Sequence, residues 1–182
     1  TVVPASRTKI LRTQLNKMAT ATACQEDQVI TLKGSAAIVK EFFYYSVNSI
    51  LYQRGIYPPE SFSRVAKYGL TMLVTEDDGL KEYLKSVSDQ LEVWLLEGEI
   101  QRLVVVVTGN DSGETLERWV FCVEHQMPLD QIDGNVPERP SKIRKTKKEV
   151  MNEIQAIIRQ ITASVTFLPL LNEPCSFDLL VY

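Results

Sequence analysis

The sequence lacks most of the residue patterns that build catalytic centres. Its 182 residues include one histidine and three scattered cysteines without a CxxC pair, which disfavours a structural zinc site. No Gly-x-x-x-x-Gly-Lys-Ser/Thr segment is present, so the phosphate loop of P-loop enzymes is excluded. No apolar stretch is long enough to span a bilayer, and residues 1–17 lack the apolar core of a secretory signal. The odd cysteine count favours a reducing, intracellular compartment.

Composition and charge are those of an ordinary globular domain. Hydrophobic residues make up 45% of the chain and charged residues 24%, with eight glycines and eight prolines, which excludes collagen-like and low-complexity proteins. The 20 basic and 23 acidic residues give a net charge of −3, so no overall basic field attracts nucleic acid or a membrane. A chain of this length is expected to form one domain with its own core.

A few residues have a catalytic or metal-binding interpretation, but each also has a simpler one. His125 could act as a base, yet its place at a predicted strand end is typical of a surface histidine. Two acidic pairs could bind a metal ion, although helix capping and loop solvation explain them more simply: Asp77 with Asp78, and Asp130 with Asp133. The sequence therefore predicts no enzyme, no cofactor and no metal site.

The strongest charge cluster is the basic run at residues 142–148. Such a run can mark nuclear import or a contact with nucleic acid. It contains no aromatic side chain on which a base could stack, and the chain as a whole is acidic. A solvated loop that leads into a helix is the favoured interpretation.

Three amphipathic segments predict helices. The first follows Ser35, a suitable N-cap, ends before Gly55, and has an apolar surface broad enough for a central buried helix. The second runs from residue 77 or 78 to residue 97, where apolar residues at spacings of three and four form one stripe. The third covers roughly residues 147 to 164 and carries a similar stripe.

Apolar runs between and after these helices predict strands. Residues 103–107 form a β-branched run typical of a strand that is buried on both faces. A Gly/Asn/Asp turn at 109–113 joins it to a hairpin partner at 115–123, and residues 126–146 read as an exposed loop. Together the elements predict an α+β fold, with three helices packed on a mainly antiparallel sheet.

The last run, at residues 177–182, also predicts a strand, and two interpretations of it remain. Phe177, Leu179 and Val181 alternate with the residues between them. An open strand of this kind can accept a peptide as an added strand. A plain core strand, paired within its own sheet, is the simpler interpretation, and the residues alone favour it.

Seven stretches resemble the spindle-checkpoint HORMA proteins of the mitotic arrest-deficient family. They occur in order over about residues 29–182, and the loop near 126–146 departs from the vertebrate members. In this sequence they read ITLKGSA at 30–36, SILYQRGIYP at 49–58, KYGL at 67–70, LERW at 116–119, IRQITA at 158–163, VTFLPLL at 165–171 and CSFDLL at 175–180.

The resemblance implies a HORMA domain that acts as a non-enzymatic inhibitor in mitosis and delays anaphase. Members of this family bind a short motif of the activator subunit of the anaphase-promoting complex, or of a coiled-coil kinetochore receptor, as an added strand. They switch between open and closed folds and self-associate. Their other binding partners are a HORMA-like adaptor of the comet type and an AAA+ remodelling ATPase. The implied locations are the nucleus, the kinetochore and the cytoplasm, without a membrane partner.

Two other functions remain open at this stage. A different HORMA adaptor, from the meiotic axis or the translesion-synthesis machinery, would keep the fold and change the partner. A nucleic-acid-binding domain that acts through residues 142–148 would instead show steeply salt-dependent binding.

The resemblance assigns the implied ligand site by position. Phe177, Leu179 and Val181 correspond to the strand edge that receives the ligand, and Trp94 corresponds to an aromatic residue near the ligand. In this family a C-terminal safety belt closes over the bound segment. The chain is expected to lack this belt, so that a ligand pairs with the edge without being trapped.

A second surface and a moving segment are also implied. Arg159, Gln160 and Phe167 correspond to the face that forms the open–closed dimer and binds the adaptor. Leu32 corresponds to the N-terminal segment that moves during conversion between the two folds. Both roles are expectations that come from the resemblance alone.

The resemblance divides the chain into a leader at 1–28 and a HORMA core at 29–182. Met18 and the small residues after it resemble a natural start, which makes residues 1–17 an added or alternative leader. Within that leader Lys9, Ile10 and Leu11 resemble the basic-plus-aliphatic motif by which the activator subunit binds this family. The leader is therefore a candidate ligand-like segment, with a cloning remnant or an unusual natural extension as the alternatives.

Overall fold

The computed structural model describes residues 29–125 and 147–182, and these residues form six strands and three α-helices. Short 3-10 helices at Pro59–Ser61 and Val165–Phe167 connect some of them. In chain order the elements are β1 (Val29–Gly34), α1 (Ala36–Gln53), β2 (Phe62–Lys67), β3 (Leu70–Thr75), α2 (Asp78–Glu97), β4 (Arg102–Gly109), β5 (Thr115–His125), α3 (Lys147–Ser164) and β6 (Cys175–Val181).

Helix α1 is the central helix of the fold. The Ser35 side chain caps it by accepting a hydrogen bond from the backbone N–H of Ile38. Gly55, at φ +65°, ends it where a side chain would be strained. Apolar residues on most sides of α1 are buried, and α1 contacts α2, α3, β1 and β3. The prediction of a buried first helix is confirmed.

Helices α2 and α3 follow the predicted bounds closely. Asp77 caps α2 by accepting a hydrogen bond of 2.8 Å from Leu80 N–H, and Gly98 ends the helix in the left-handed region. This cap confirms the simpler interpretation of the acidic pair at 77–78. Helix α3 buries one stripe of its surface, which is formed by Ile154, Ile158 and Ile161.

The main sheet has four strands in the order β1-β5-β4-β6. β5 and β4 are the two inner strands; β4 pairs antiparallel with both β5 and β6, whereas β1 pairs with β5 in parallel. The residues at 103–107 are all buried, as their β-branched run predicts for a strand covered on both faces. The sheet is therefore mainly antiparallel, as predicted, and β6 lies at one of its edges.

A second, two-stranded sheet of β2 and β3 lies outside the sequence-based prediction, which assigned no element to this part of the chain. Tyr68 and Gly69 both have positive φ values, of 54° and 68°, as a two-residue type I′ hairpin turn requires. The Tyr68 hydroxyl donates to Glu41 of α1, and Gln155 of α3 donates to the Tyr68 carbonyl oxygen. These contacts hold a non-glycine residue in an unfavourable backbone region.

One core joins the helices to the inner face of the main sheet. Its largest fully buried side chains come from α1, β5, β4 and their neighbours, and include Phe42, Ile50, Leu51, Leu103, Trp119 and Phe121. The structure thus confirms an α+β fold. The leader at 1–28 and the loop at 126–146, with Asp130, Asp133 and most of the basic run, lie outside the described residues.

Candidate protein-binding surfaces

Among the described residues, the outward side of β6 is one of the two edges of the main sheet. Tyr182 and Arg102 exchange two backbone hydrogen bonds of 2.9 Å, which sets the pattern of the β6–β4 ladder. Because backbone groups alternate in direction along an antiparallel strand, Phe177, Leu179 and Val181 direct their N–H and C=O groups away from β4. No strand within the described ranges pairs with this side. These outward groups are called the β6 edge below.

The side chains of the same three residues face the core. Phe177, Leu179 and Val181 are partly buried and pack against the core cluster. The β6 edge therefore offers a partner strand its backbone, while its side chains hold β6 on the domain. β6 is therefore paired inside its own sheet, as the simpler interpretation predicted, and among the described strands none pairs with its other side.

Two tyrosines that the sequence analysis did not select as site residues pack against Phe177 of β6. Tyr57 and Tyr83 each make an edge-to-face contact with Phe177, with ring centroids 6.3 Å and 5.9 Å apart. Burial, and after it the Asp77 carboxylate, raises the pKa of Tyr57. Tyr83 belongs to the apolar stripe of α2, which was the one available signal for its inward position.

Trp94, the aromatic residue that the resemblance places near a ligand, lies three helical turns beyond Tyr83 on α2. Its side chain is partly buried and packs against the core cluster. Val93 and Leu96 of the same helix are exposed to solvent. The described contacts place Tyr83 against Phe177 of β6 and Trp94 against the core cluster.

A buried ion pair ties α1 to β5 and to the segment before β6. The Arg54 and Glu117 side chains are only 4% and 7% exposed, and Arg54 Nε donates to Glu117 Oε1 at 2.7 Å. Trp119 Nε1–H donates to the other carboxylate oxygen. Arg54 also donates to the Pro169 carbonyl oxygen. Every strong polar group of this cluster thus has a partner, as burial demands.

A second exposed surface lies at the end of α3. Arg159 and Gln160 are exposed on the helix, and the 3-10 turn after it carries Phe167, which is 86% exposed. Leu170, which sequence reasoning did not select, is 84% exposed three residues later. These four residues are called the α3 surface. Large apolar side chains that are exposed together mark a surface for another protein.

The remaining candidates have simpler roles or lie partly outside the described residues. Leu32 is in β1, opposite Val123 in the parallel ladder with β5. His125 is the last residue of β5, as the sequence predicted. Among residues 29–125 and 147–182, no group of histidine, cysteine and acidic side chains could hold a metal ion. None of the helices described is both long and apolar enough to cross a membrane.

Comparisons with known proteins agree with this architecture. The HORMA domain family matches residues 35–182. The chain is 61% identical over 153 residues to the mitotic spindle assembly checkpoint protein MAD2A of Dictyostelium discoideum, covering 84% of this chain and 71% of that protein. It is 53% identical over 156 residues to the human MAD2A protein, covering 86% and 73%.

A solved structure supports the same assignment. A chain in a crystal structure of the mitotic checkpoint complex superposes with a TM-score of 0.69 at 48% identity, covering 82% of this chain and 74% of that chain. The family match covers most of the described residues and includes both candidate surfaces. The chain belongs to the HORMA-domain family, and within it to the mitotic spindle assembly checkpoint proteins.

Proposed function

We propose that this chain binds a short, extended segment of the activator subunit of the anaphase-promoting complex, or of a coiled-coil kinetochore receptor, and so delays anaphase. The β6 edge carries this proposal. It presents three successive outward pairs of backbone N–H and C=O groups on a strand that the core holds in place. Backbone hydrogen bonds of this kind supply the affinity when a peptide adds to a sheet.

The other partners of the proposed function follow the same family. They are a HORMA-like adaptor of the comet type, an AAA+ remodelling ATPase and a second copy of this chain in another conformation. The two relatives above are named as checkpoint proteins, which supports a binding role. We place this function at the kinetochore, in the nucleus and in the cytoplasm.

The conversion between open and closed forms is proposed to involve β1, which includes Leu32. Among the strands described, β1 pairs with β5 alone and lies at the edge opposite β6. It can therefore leave the sheet without breaking the β5–β4 and β4–β6 ladders. The geometry is compatible with a segment that moves while the rest of the sheet stays paired.

We propose that the α3 surface, including Arg159, Gln160 and Phe167, binds the second copy or the adaptor. Arg159→Glu is expected to abolish self-association or adaptor binding, because it reverses the charge at an exposed position while leaving the buried stripe of α3 unchanged. Sedimentation velocity and an adaptor titration measure the two effects. Unchanged sedimentation together with unchanged adaptor affinity would count against this assignment.

The leader at 1–28 is proposed to carry a ligand-like segment at Lys9, Ile10 and Leu11. A segment tethered to the same chain acts at an effective concentration in the millimolar range, so even a weak motif would compete for the β6 edge. If the leader docks on the β6 edge, within one chain or between two chains, an added peptide will bind more weakly because it has to displace the leader.

One titration tests both the edge and the leader. A fluorescent peptide with the activator subunit's basic-aliphatic-aliphatic motif is added to the full chain and to the variant Ile10→Ala/Leu11→Ala, and anisotropy is recorded. We expect saturable binding to both, and tighter binding to the variant because its edge is vacated. A peptide of the same composition in scrambled order is the control, since it keeps the charge and loses the motif.

The outcomes separate the two proposals. Equal peptide binding to the chain and its variant, with no change in melting temperature or in mass in solution, would reject the leader as a ligand. The proposal that the peptide binds the β6 edge would still stand. Absence of specific binding to both proteins would reject the β6 edge as the activator site.

A further inference from the structure

The Glu173 side chain contacts the turn between β4 and β5, although Glu173 is far from that turn along the chain. Its carboxylate accepts hydrogen bonds of 2.9 Å from the backbone N–H groups of Asp111 and Ser112, and one of 2.8 Å from the Ser112 hydroxyl. These donors, the Ser112 backbone first, lower the pKa of Glu173. Successive backbone N–H groups that point at one anion form a small anion-binding nest, and here the anion belongs to the same chain.

Gly109 makes room for this contact. A Cβ atom at position 109 would lie 2.5 Å from the Glu173 carboxylate and 2.6 Å from the Ser112 hydroxyl oxygen. The backbone of Gly109 has no positive φ, so alanine fits the chain there but not the space that the carboxylate occupies. Because both obstructing groups are the ends of side chains, alanine would expel the carboxylate without forcing the backbone apart.

The contact lies at the first rung of the ladder that holds β6. Gly109 is opposite Cys175, the first residue of β6, and Asn110 N–H donates to the Pro174 carbonyl oxygen at 2.8 Å. Glu173 is therefore the last anchored side chain before the strand whose outward side is the β6 edge. The other anchor of this connecting segment is the Arg54 contact at Pro169.

We propose that Glu173 is a positioning residue for strand addition at the β6 edge. By binding the β4–β5 turn it fixes the start of β6 in register, so that the outward groups of Phe177 are already aligned before a peptide arrives. Without it the first residues of β6 sample other arrangements, and an incoming strand must order them at an entropic cost. This inference rests on the proposed function of the β6 edge.

Binding kinetics of the activator-motif peptide to the full chain test the proposal. Glu173→Ala and Gly109→Ala are each expected to weaken binding by about fivefold, mainly through slower association, because both remove the same pre-ordering contact. The double variant is expected to match either single variant, since two changes to one contact are not additive. Glu173→Gln keeps one acceptor oxygen and should lose less than Glu173→Ala.

Two further readouts distinguish positioning from a general loss of stability. The melting temperatures of these variants should stay within about 3 °C of the parent, because the contact is exposed. Amide hydrogen exchange should quicken at residues 111, 112 and 176 and remain unchanged in α1. Unaltered association in both single variants, or additive losses in the double variant, would overturn the proposal.

Failure of the proposed function would give a different result. If the unmodified chain binds no peptide, the activator site is wrong, and amide exchange alone then decides the role of Glu173. Faster exchange at residue 176 in both single variants would still support its control of β6, whereas exchange like that of the parent would refute it.

Discussion

Glu117→Ala is expected to lower the free energy of unfolding by about 3–5 kcal/mol, because it leaves the Arg54 guanidinium buried without its carboxylate. The pair is almost fully enclosed, so water cannot replace the lost partner. The same change removes the acceptor of Trp119 Nε1–H, one of the largest side chains in the core. Urea unfolding followed by circular dichroism measures the effect, read from the midpoint at constant slope.

An exposed ion pair provides the matched control. Lys81 and Glu76 lie 2.7 Å apart with side chains that are 38% and 55% exposed, and Glu76→Ala should change the free energy of unfolding only slightly because such pairs are solvated. A loss for Glu117→Ala no greater than that of Glu76→Ala would contradict a structural role for the buried pair. Glu117→Gln should fall between the two, since its amide oxygen can still accept one hydrogen bond from Arg54.

Leu179→Pro is expected to weaken binding of the activator-motif peptide by at least about tenfold while the domain stays folded. The Leu179 N–H points outward, so proline removes a donor that the β6–β4 ladder does not use. Proline is tolerated on an edge strand when its missing N–H would face solvent. The added strand, however, is left with an unsatisfied carbonyl at the centre of its contact. Anisotropy titration with thermal unfolding measures the two effects together.

Two neighbouring variants make this result specific. Leu179→Ala loses the same packing against the core but keeps the N–H, so it should bind the peptide nearly as the parent does. Leu180→Pro removes an N–H that faces Val104 in the ladder, so it should unfold the edge and lower the melting temperature. Peptide binding that Leu179→Pro leaves unchanged would rule out strand addition at this edge.

The parts of the fold that were predictable from the sequence are those with local causes. Ser35, Asp77 and Gly98 are capping residues whose effect is confined to one helix turn. The turn at 109–113 was predicted for the same reason, and it joins the hairpin strands β4 and β5. Each of these elements was predicted with bounds close to those observed.

The hairpin of β2 and β3 was missed because its cause is not local. Its turn uses tyrosine at a position that normally calls for asparagine, aspartate or glycine. Tyr68 has a positive φ, and its hydroxyl and carbonyl groups are held by Glu41 and Gln155, which come from two different helices. Pattern reasoning from a short window has no access to such contacts.

The candidate site was likewise only partly predictable from the sequence. The alternation at 177–182 identified β6, and the family motifs identified Arg159, Gln160 and Phe167 as residues of interest. Neither showed that Phe177, Leu179 and Val181 use their side chains for the core and only their backbone for the open edge. That distinction depends on which side of β6 is bonded to β4.

By itself, then, the sequence determined that this chain makes three helices and a buried, mainly antiparallel sheet of the HORMA type. Tertiary structure alone decided which backbone groups of β6 point away from β4, that Arg54 pairs with Glu117, and that Glu173 reaches the turn beside Gly109. Helix caps and hydrophobic periods act over a few residues. The register of an edge and the partner of a buried charge are set by segments that lie far apart along the chain.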